Sequence, residues 1–380
     1  MRPRARRPRD LSGPASRYAA VGGGRPARAQ DRPEPRLARL GPPLQPQAVS
    51  EDPRFAWFAG RRALITGGLG FIGSTLAHRL VALGARVTVV DSLIPEYGGN
   101  PFNLDTLADR VQVNVSDIRD VYSLSYLVAG QEVLFNLAGQ TSHLDSMHEP
   151  LADLEINCRA QLTLLETCRS HCPGIKLVFA STRQLYGKPD YLPVDERHLL
   201  RPADVNGVNK MAGEWYHILY NNVYGLKASA LRLTNTYGPR MRIKDARQTF
   251  LGVWIRLLLE DKPFEVWGGE QLRDFTYVDD AVDALLLAAT VPEVEGQALN
   301  IGGFPPISLN RLAELLIGAN GKGEAVLRNF PAERKRIDIG DYYADDRRFR
   351  SLTGWAPKVD LAEGLKTSLD YYRRNLPHYL

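Results

Sequence analysis

Between residues 66 and 73 the chain reads Thr66-Gly67-Gly68-Leu69-Gly70-Phe71-Ile72-Gly73, directly after the apolar run Ala63-Leu64-Ile65. Glycines at this spacing suit a backbone that cradles phosphate. Gly67 permits a tight turn, Gly70 lets backbone amides approach a pyrophosphate without a Cβ in the way, and Gly73 lets a following helix lie against the strand. Phe71 and Ile72 open that helix, whose free N–H groups and partial positive charge face the phosphates. A glycine-rich turn alone joins many strands to helices. Asp91 narrows the reading. It ends the next β-branched run about twenty residues on, where a carboxylate accepts from ribose hydroxyls and repels a 2′-phosphate. Together these residues point to NAD rather than NADP. Asp117 and Ile118, after a third run, are candidates for the adenine end, Asp117 being as well suited to a plain turn.

Such a turn needs a strand before it and a helix after it, and from Arg61 onward short β-branched runs alternate with longer helical periods. Strands are predicted at 63–66, 87–91, 111–115, 133–137, 177–181 and 228–233. Helices are predicted at 72–83, closed by Gly84, and at 153–169. This order implies an α/β fold, a Rossmann-type doubly wound parallel sheet. After Asn235 the pattern shifts to shorter, loop-linked pieces rich in Pro and Gly, ending in a helix over 361–372. That part reads as a smaller C-terminal α/β substrate lobe. The expected limits are a disordered Arg/Pro-rich tail at 1–55, the NAD-binding domain at 56–235 and the lobe at 236–380, with some segments returning to the first domain.

The first fifty residues hold eleven arginines and only three acids, so the net charge of +5 resides there and the remainder is mildly acidic. Nucleic-acid binding would therefore rest on the tail alone, and none is expected. The tail has no hydrophobic period. Its composition also fits an organelle transit peptide or a start codon placed too far upstream. Three cysteines, Cys158, Cys168 and Cys172, argue for a reducing compartment without a disulfide framework, hence a cytoplasmic protein. Cys168-Arg169-Ser170-His171-Cys172 lacks a second ligand pair, so no metal is expected. No apolar run reaches the roughly twenty residues needed to span a bilayer.

Several ordered motifs now add up. Besides Thr66–Gly73 they are Asn136-Leu137-Ala138-Gly139, Ser181-Thr182 with Leu185-Tyr186-Gly187, Leu231-Arg232-Leu233-Thr234-Asn235-Thr236-Tyr237-Gly238-Pro239, and Arg273-Asp274-Phe275-Thr276-Tyr277-Val278-Asp279-Asp280. From about Arg61 to the C-terminus the chain resembles the NAD-dependent epimerases and dehydratases, extended short-chain dehydrogenases that act on nucleotide sugars, UDP-glucose 4-epimerases among them. The resemblance implies that a sugar hydroxyl is oxidised by NAD and the hydride later returned. It implies cofactor contacts from Leu137, Ala138 and Lys210, and substrate contacts from Gln140, Thr182, Asn235 and Arg273, the last two toward the diphosphate. A homodimer paired through the helix after Lys210 is implied as well. Along that helix Trp215, Tyr216 and Tyr220 recur at helical spacing, as core or interface residues.

One departure stands out. In the family a Ser or Thr works with a Tyr and a Lys in Tyr-x-x-x-Lys, the Lys charge lowering the Tyr pKa from about 10. Here Thr182 and Lys210 match, but Asn206 occupies the Tyr position, and an amide is no proton acceptor. Asp204, Lys210, His143 or Tyr186 could serve as base, or the substrate or water could relay the proton, or the protein could bind NAD and sugar nucleotide without turnover. If Asn206 simply replaced a needed base, Asn206→Tyr would raise activity. A second departure concerns outcome. Dehydratases and decarboxylases of the family carry an acid just beyond the Thr, where this chain has Arg183-Gln184, which favours epimerisation. The pieces around Gln140 and 153–157 look closer to C2 epimerases of CDP-sugars, so the expected epimerisation is at C4 or, second, at C2. The alternatives are a non-catalytic NAD and sugar-nucleotide module and a net dehydrogenase or reductase. A second phosphate-binding Arg is missing from its family position, where Asp338 stands and Arg336 lies upstream.

Overall fold

The computed structural model describes residues 52–380 apart from 304, 332–334 and 336. Residues 1–51 of the expected tail, and Arg336, lie outside the described residues. Pro53–Phe58 form a 3-10 turn that buries Phe55 and Phe58 in the main core, so the folded body begins before residue 56.

Six strands follow in the expected order: β1 (Arg62–Thr66), β2 (Arg86–Asp91), β3 (Val111–Val115), β4 (Val133–Asn136), β5 (Lys176–Thr182) and β6 (Lys227–Leu233). Each lies within a residue of its predicted limits. Between them run α1 (Phe71–Ala82), α2 (Val121–Val128), α3 (His143–His148), α4 (Pro150–Leu154), α5 (Ala160–His171) and α6 (Val205–Tyr224). The single helix expected at 153–169 is broken into α4, a widened π turn at Glu155–Arg159, and α5. The widened turn directs Asn157 back onto the carbonyl of Gln140 and the carboxylate of Asp153, at 2.9 and 3.0 Å. Such turns often mark functional sites.

Beyond β6 come β7 (Asn235–Tyr237), α7 (Phe250–Leu259), β8 (Phe264–Trp267), β9 (Leu272–Arg273), β10 (Phe275–Tyr277), α8 (Val278–Thr290), β11 (Ala298–Ile301), β12 (Ile307–Ser308), α9 (Leu309–Asn320) and β13 (Ala325–Arg328). The last long helix, Leu361–Asn375, closes the chain's packing. This region is more helical than its Pro and Gly content suggested. Helix α8 is buried along nearly its whole length, Asp280 and Asp283 included. Helices α7 and α9 start at the N-caps Thr249 and Ser308.

The large sheet has the order β11-β6-β5-β4-β1-β2-β3, and every pairing in it is parallel. Alternate residues feed opposite faces, as strand geometry requires. Ala63 and Ile65 pack with α1 and α8, whereas Leu64 packs with α2, α5 and α6. The order reverses between β1 and β4, the doubly wound Rossmann arrangement, with a crevice at the carboxyl ends of the strands. A separate apolar cluster joins α7, α9 and the helix Leu361–Asn375 around the two-stranded pairs β7–β10 and β8–β13.

A buried polar chain underlies the middle of the sheet. Arg232 pairs with Glu214 through Nη2 at 2.6 Å, Ser181 donates to the same carboxylate at 2.6 Å, and Arg232 Nη1 donates to the Tyr186 hydroxyl at 2.6 Å. Removing one partner of a buried pair leaves the other charge uncompensated. Glu214→Leu is therefore expected to cost about 3–5 kcal/mol in urea unfolding. The Glu214→Leu/Arg232→Met double variant should recover most of that loss.

Candidate active site

The glycine turn sits where β1 meets α1. Gly67 has φ +68°, and a Cβ there would lie 2.9 Å from the backbone of Ala138. A Cβ on Gly73 would lie 2.3 Å from the Gly67 carbonyl oxygen, so both positions exclude side chains on steric grounds. Thr66 holds the neighbouring strand end in place: its hydroxyl donates to Asn136 Oδ1 at 2.9 Å and accepts from the N–H groups of Leu137 and Ala138 at 3.2 Å. One cavity runs from this turn along the strand ends. Gly67, Gly70, Phe71, Ile72, Gly73, Asp91, Asp117, Ile118, Leu137, Ala138, Gln140, Thr182, Asn206, Lys210 and Asn235 all line it.

The cavity's far end suits adenosine. Asp91 accepts backbone N–H bonds from Leu69 and Leu93 at 3.1 and 3.0 Å, which fixes its carboxylate while leaving lone pairs for ribose hydroxyls. A Cβ on Gly99 would come within 2.7 Å of Asp91 Oδ1, so the chain closes tightly over this carboxylate. Burial pushes the Asp91 pKa up, against those two hydrogen bonds. Asp117 is tied to Arg119 at 2.6 Å. The cradle, the carboxylate and the apolar Ile118 fit NAD and disfavour a 2′-phosphate.

At the near end, Lys210 is buried, donates to the Ala180 carbonyl at 2.8 Å and lies 4.6 Å from the centre of the Phe179 ring. Burial pulls its pKa down to about 8, with Asp153 and Glu214 opposing. Thr182 Oγ1 accepts from the Gln184 N–H at 3.2 Å and keeps its own proton to donate. Asn206 is turned inward. Its Nδ2 donates to the Gln140 carbonyl at 2.8 Å and lies 3.0 Å from Asp153 Oδ2, and Asn157 and Asn209 donate to that carboxylate at 3.0 and 2.8 Å. Asp153 is thus a buried carboxylate held by three amides.

The other candidates for the missing base separate clearly. Tyr186 lies in the core, its hydroxyl bonded to Asn300 and Arg232 and its pKa raised to about 12 by burial, and it does not line the cavity. Asp204 caps α6 through the Gly207 N–H at 2.7 Å, accepts from Gln184 at 3.0 Å and is shielded by its own helix. Burial raises the Asp204 pKa, but the adjacent His143 ring and these hydrogen bonds outweigh it and hold the carboxyl below its usual range. His143 Nδ1 sits 2.9 Å from Asp204 Oδ2, and the ring is half-exposed in the cavity.

A second cavity carries Arg273, Asp338, Trp254 and Phe250. His143, Arg183, Gln184, Asn235, Gln248 and Thr249 line both. Arg273 pairs with Asp338 at 3.4 Å, not with Asp274 or Asp279, and burial lowers its pKa to about 10. The acid standing where a second arginine was sought thus serves the first. Asn235 accepts from Arg183 Nη2 at 3.1 Å and donates to the Asp274 carbonyl at 2.9 Å. Sequence reasoning registered Arg183 only as a missing acid. Its guanidinium lies over the Tyr342 ring, and its buried Nη1 has no protein partner among the described residues, so it is a donor free for a ligand oxygen. A basic residue directly after Thr182 was the available signal. Among the described residues no group of three His, Cys, Asp or Glu is placed to hold a metal, and no helix is long and apolar enough to cross a membrane.

The sheet and the cradle mark an NAD-dependent enzyme. The chain belongs to the NAD dependent epimerase/dehydratase family, whose description matches residues 63–302. It is 33% identical over 315 residues to a putative UDP-glucose 4-epimerase of Methanocaldococcus jannaschii, covering 82% of this chain and 98% of that one. It is 30% identical to UDP-glucuronic acid decarboxylase 1 of Xenopus tropicalis, covering 84% and 73%. The crystal structure of UDP-glucose 4-epimerase with UDP-glucose from Thermotoga maritima superposes with a TM-score of 0.76 at 31% identity, covering 83% of this chain and 99% of that one.

Tyrosine at position 206 would remove one donor from Asp153 and overfill a site that is 3% exposed. Asn206→Tyr is therefore expected to destabilise the fold by about 2–4 kcal/mol in urea unfolding, and to leave any sugar-nucleotide turnover no higher than in the parent.

Proposed function

We propose that this protein is a nucleotide-sugar epimerase that inverts one carbinol carbon, C4 in the first instance and C2 in the second, by transient oxidation and return of the hydride. The observation that carries the reading is the junction of the two cavities. Its six shared residues include a guanidinium, an imidazole and three carboxamides but no carboxylate, which leaves elimination without an acid at the position beyond Thr182. The UDP-glucose 4-epimerases among the relatives favour C4.

NAD, when bound, supplies the hydride acceptor and donor. Lys210 is positioned to contact the nicotinamide ribose, and its charge favours negative charge developing on a nearby oxygen. Thr182 donates to the sugar oxygen as that charge develops. Arg273, Arg183 and Asn235 offer donors for the substrate diphosphate, Arg273 and Arg183 with planar forks. The polar floor of Asp153 and its amides ties α6, and so Lys210, to α4 and the π turn.

The protein is further proposed to work as a homodimer in the cytoplasm. Along α6, Val208, Trp215, Leu219 and Val223 form an exposed apolar stripe beside the exposed Leu151 and Leu154, whereas Tyr216 and Tyr220 pack inward. A stripe of this extent is an association surface.

Incubation with UDP-, GDP-, CDP- and dTDP-hexoses plus NAD, followed by NMR, should show inversion at one carbon without net NADH. Steady NADH accumulation would identify a net dehydrogenase, and binding without change a non-catalytic module. Light scattering should give a dimer mass for the parent and a monomer for Trp215→Glu/Leu219→Glu; a monomeric parent would sink the dimer.

A further inference from the structure

We propose that His143, oriented by Asp204, is the base that takes the sugar hydroxyl proton in place of the missing tyrosine. The inference rests on the epimerase reading and names the group that reading leaves open. Of the six residues at the junction of the cavities, His143 alone carries a basic lone pair. Arg183 is permanently charged, Gln184, Asn235 and Gln248 are amides, and Thr249 is a hydroxyl that caps α7. The ring's Nδ1 lies 2.9 Å from Asp204 Oδ2, and the Asp204 side chain is fully buried. With a buried carboxylate oxygen 2.9 Å away, Nδ1 is the nitrogen on which a proton is favoured, and that leaves Nε2 as the acceptor.

The carboxylate itself is anchored from two further sides. Gly207 N–H, at the first turn of α6, and Gln184 Nε2, in the 3-10 turn directly after β5, both donate to it. The base is thus tied to the helix that carries Lys210 and to the turn that follows Thr182. The step balances without an added reagent. As the hydride leaves the carbinol carbon for the oxidised dinucleotide, the O–H bond breaks, its electron pair forms the C=O bond, and the proton moves to Nε2. The resulting imidazolium is stabilised by the Asp204 carboxylate. Hydride return to the opposite face of the ketone recovers the proton from Nε2 and regenerates the neutral ring. Asp204 acts through His143 and is a positioning residue.

The test compares the parent with His143→Gln and Asp204→Asn. Asparagine caps helices as well as aspartate does, so the second variant keeps the start of α6. Calorimetry with NAD and with UDP should give affinities within about threefold of the parent for both. With the hexose found active in the panel, His143→Gln should lose about 10²–10⁴-fold in kcat, the usual contribution of a general base. A loss under threefold would overturn the proposal. Independently of turnover, ¹⁵N imidazole spectra of the parent at pH 8 should show one ring, absent from His143→Gln, with Nδ1 protonated and Nε2 bare, and Asp204→Asn should abolish that preference. A ring protonated on Nε2, or on both nitrogens, would overturn the proposal even in a protein that turned over no sugar, whereas failure of the panel alone would count against the epimerase reading.

Discussion

The approach of Gly73 to the carbonyl of Gly67 sets the separation between α1 and β1, and almost everything in the cavity takes its place from that contact. A side chain at either position would lift the helix off the sheet and tilt its N-terminus away from the strand ends. With the two backbones touching, Thr66 can reach across to Asn136 and hold the end of β4 level with that of β1. Parallel pairing then carries the alignment outward, so Asp91, Thr182 and Asn235 emerge at one edge of the sheet on β2, β5 and just past β6.

The near end of the cavity is organised by charge instead. Asp153 is wholly buried, and a carboxylate in that setting is costly unless its lone pairs are filled. Three asparagine amides fill them, drawn from the π turn and from two positions on α6. Asn206 belongs to this arrangement as one of the three donors. Burial pulls the Lys210 pKa down, and the nearby Asp153 carboxylate opposes that shift.

Much of this was legible from residue types alone. The glycine spacing and Asp91 pointed to NAD, the cofactor of the family, because each obeys a local geometric rule that leaves a mark in the sequence. The first six strands were found because β-branched runs bounded by turns survive burial on both faces. Helix α8 was not, since it follows β10 without a loop and no capping side chain marks its start. The break at Glu155–Arg159 was hidden for a different reason: a π turn needs no Gly or Pro to announce it. The expected start of the folded body at residue 56 missed Phe55, which opens the aromatic run Phe55-Ala56-Trp57-Phe58 and is buried in the main core with Phe58. The pairing of His143 with Asp204 and the free nitrogen on Arg183 are tertiary facts of the same kind. No spacing rule links residues 143 and 204.

The edge strand β11 rejoins the large sheet only after the whole β7–β10 segment and α8 have been made, and α8 covers the face of the sheet that α1 also covers. The cofactor half is therefore not complete when β6 leaves the ribosome. Until residues 278–301 emerge, one flank of β6 has unpaired backbone groups and an apolar face stands open to water. Synthesis order thus couples the maturation of the nucleotide-binding half to sequence that lies deep in the second half, and a nascent chain paused between β6 and α8 would be a natural client for chaperones.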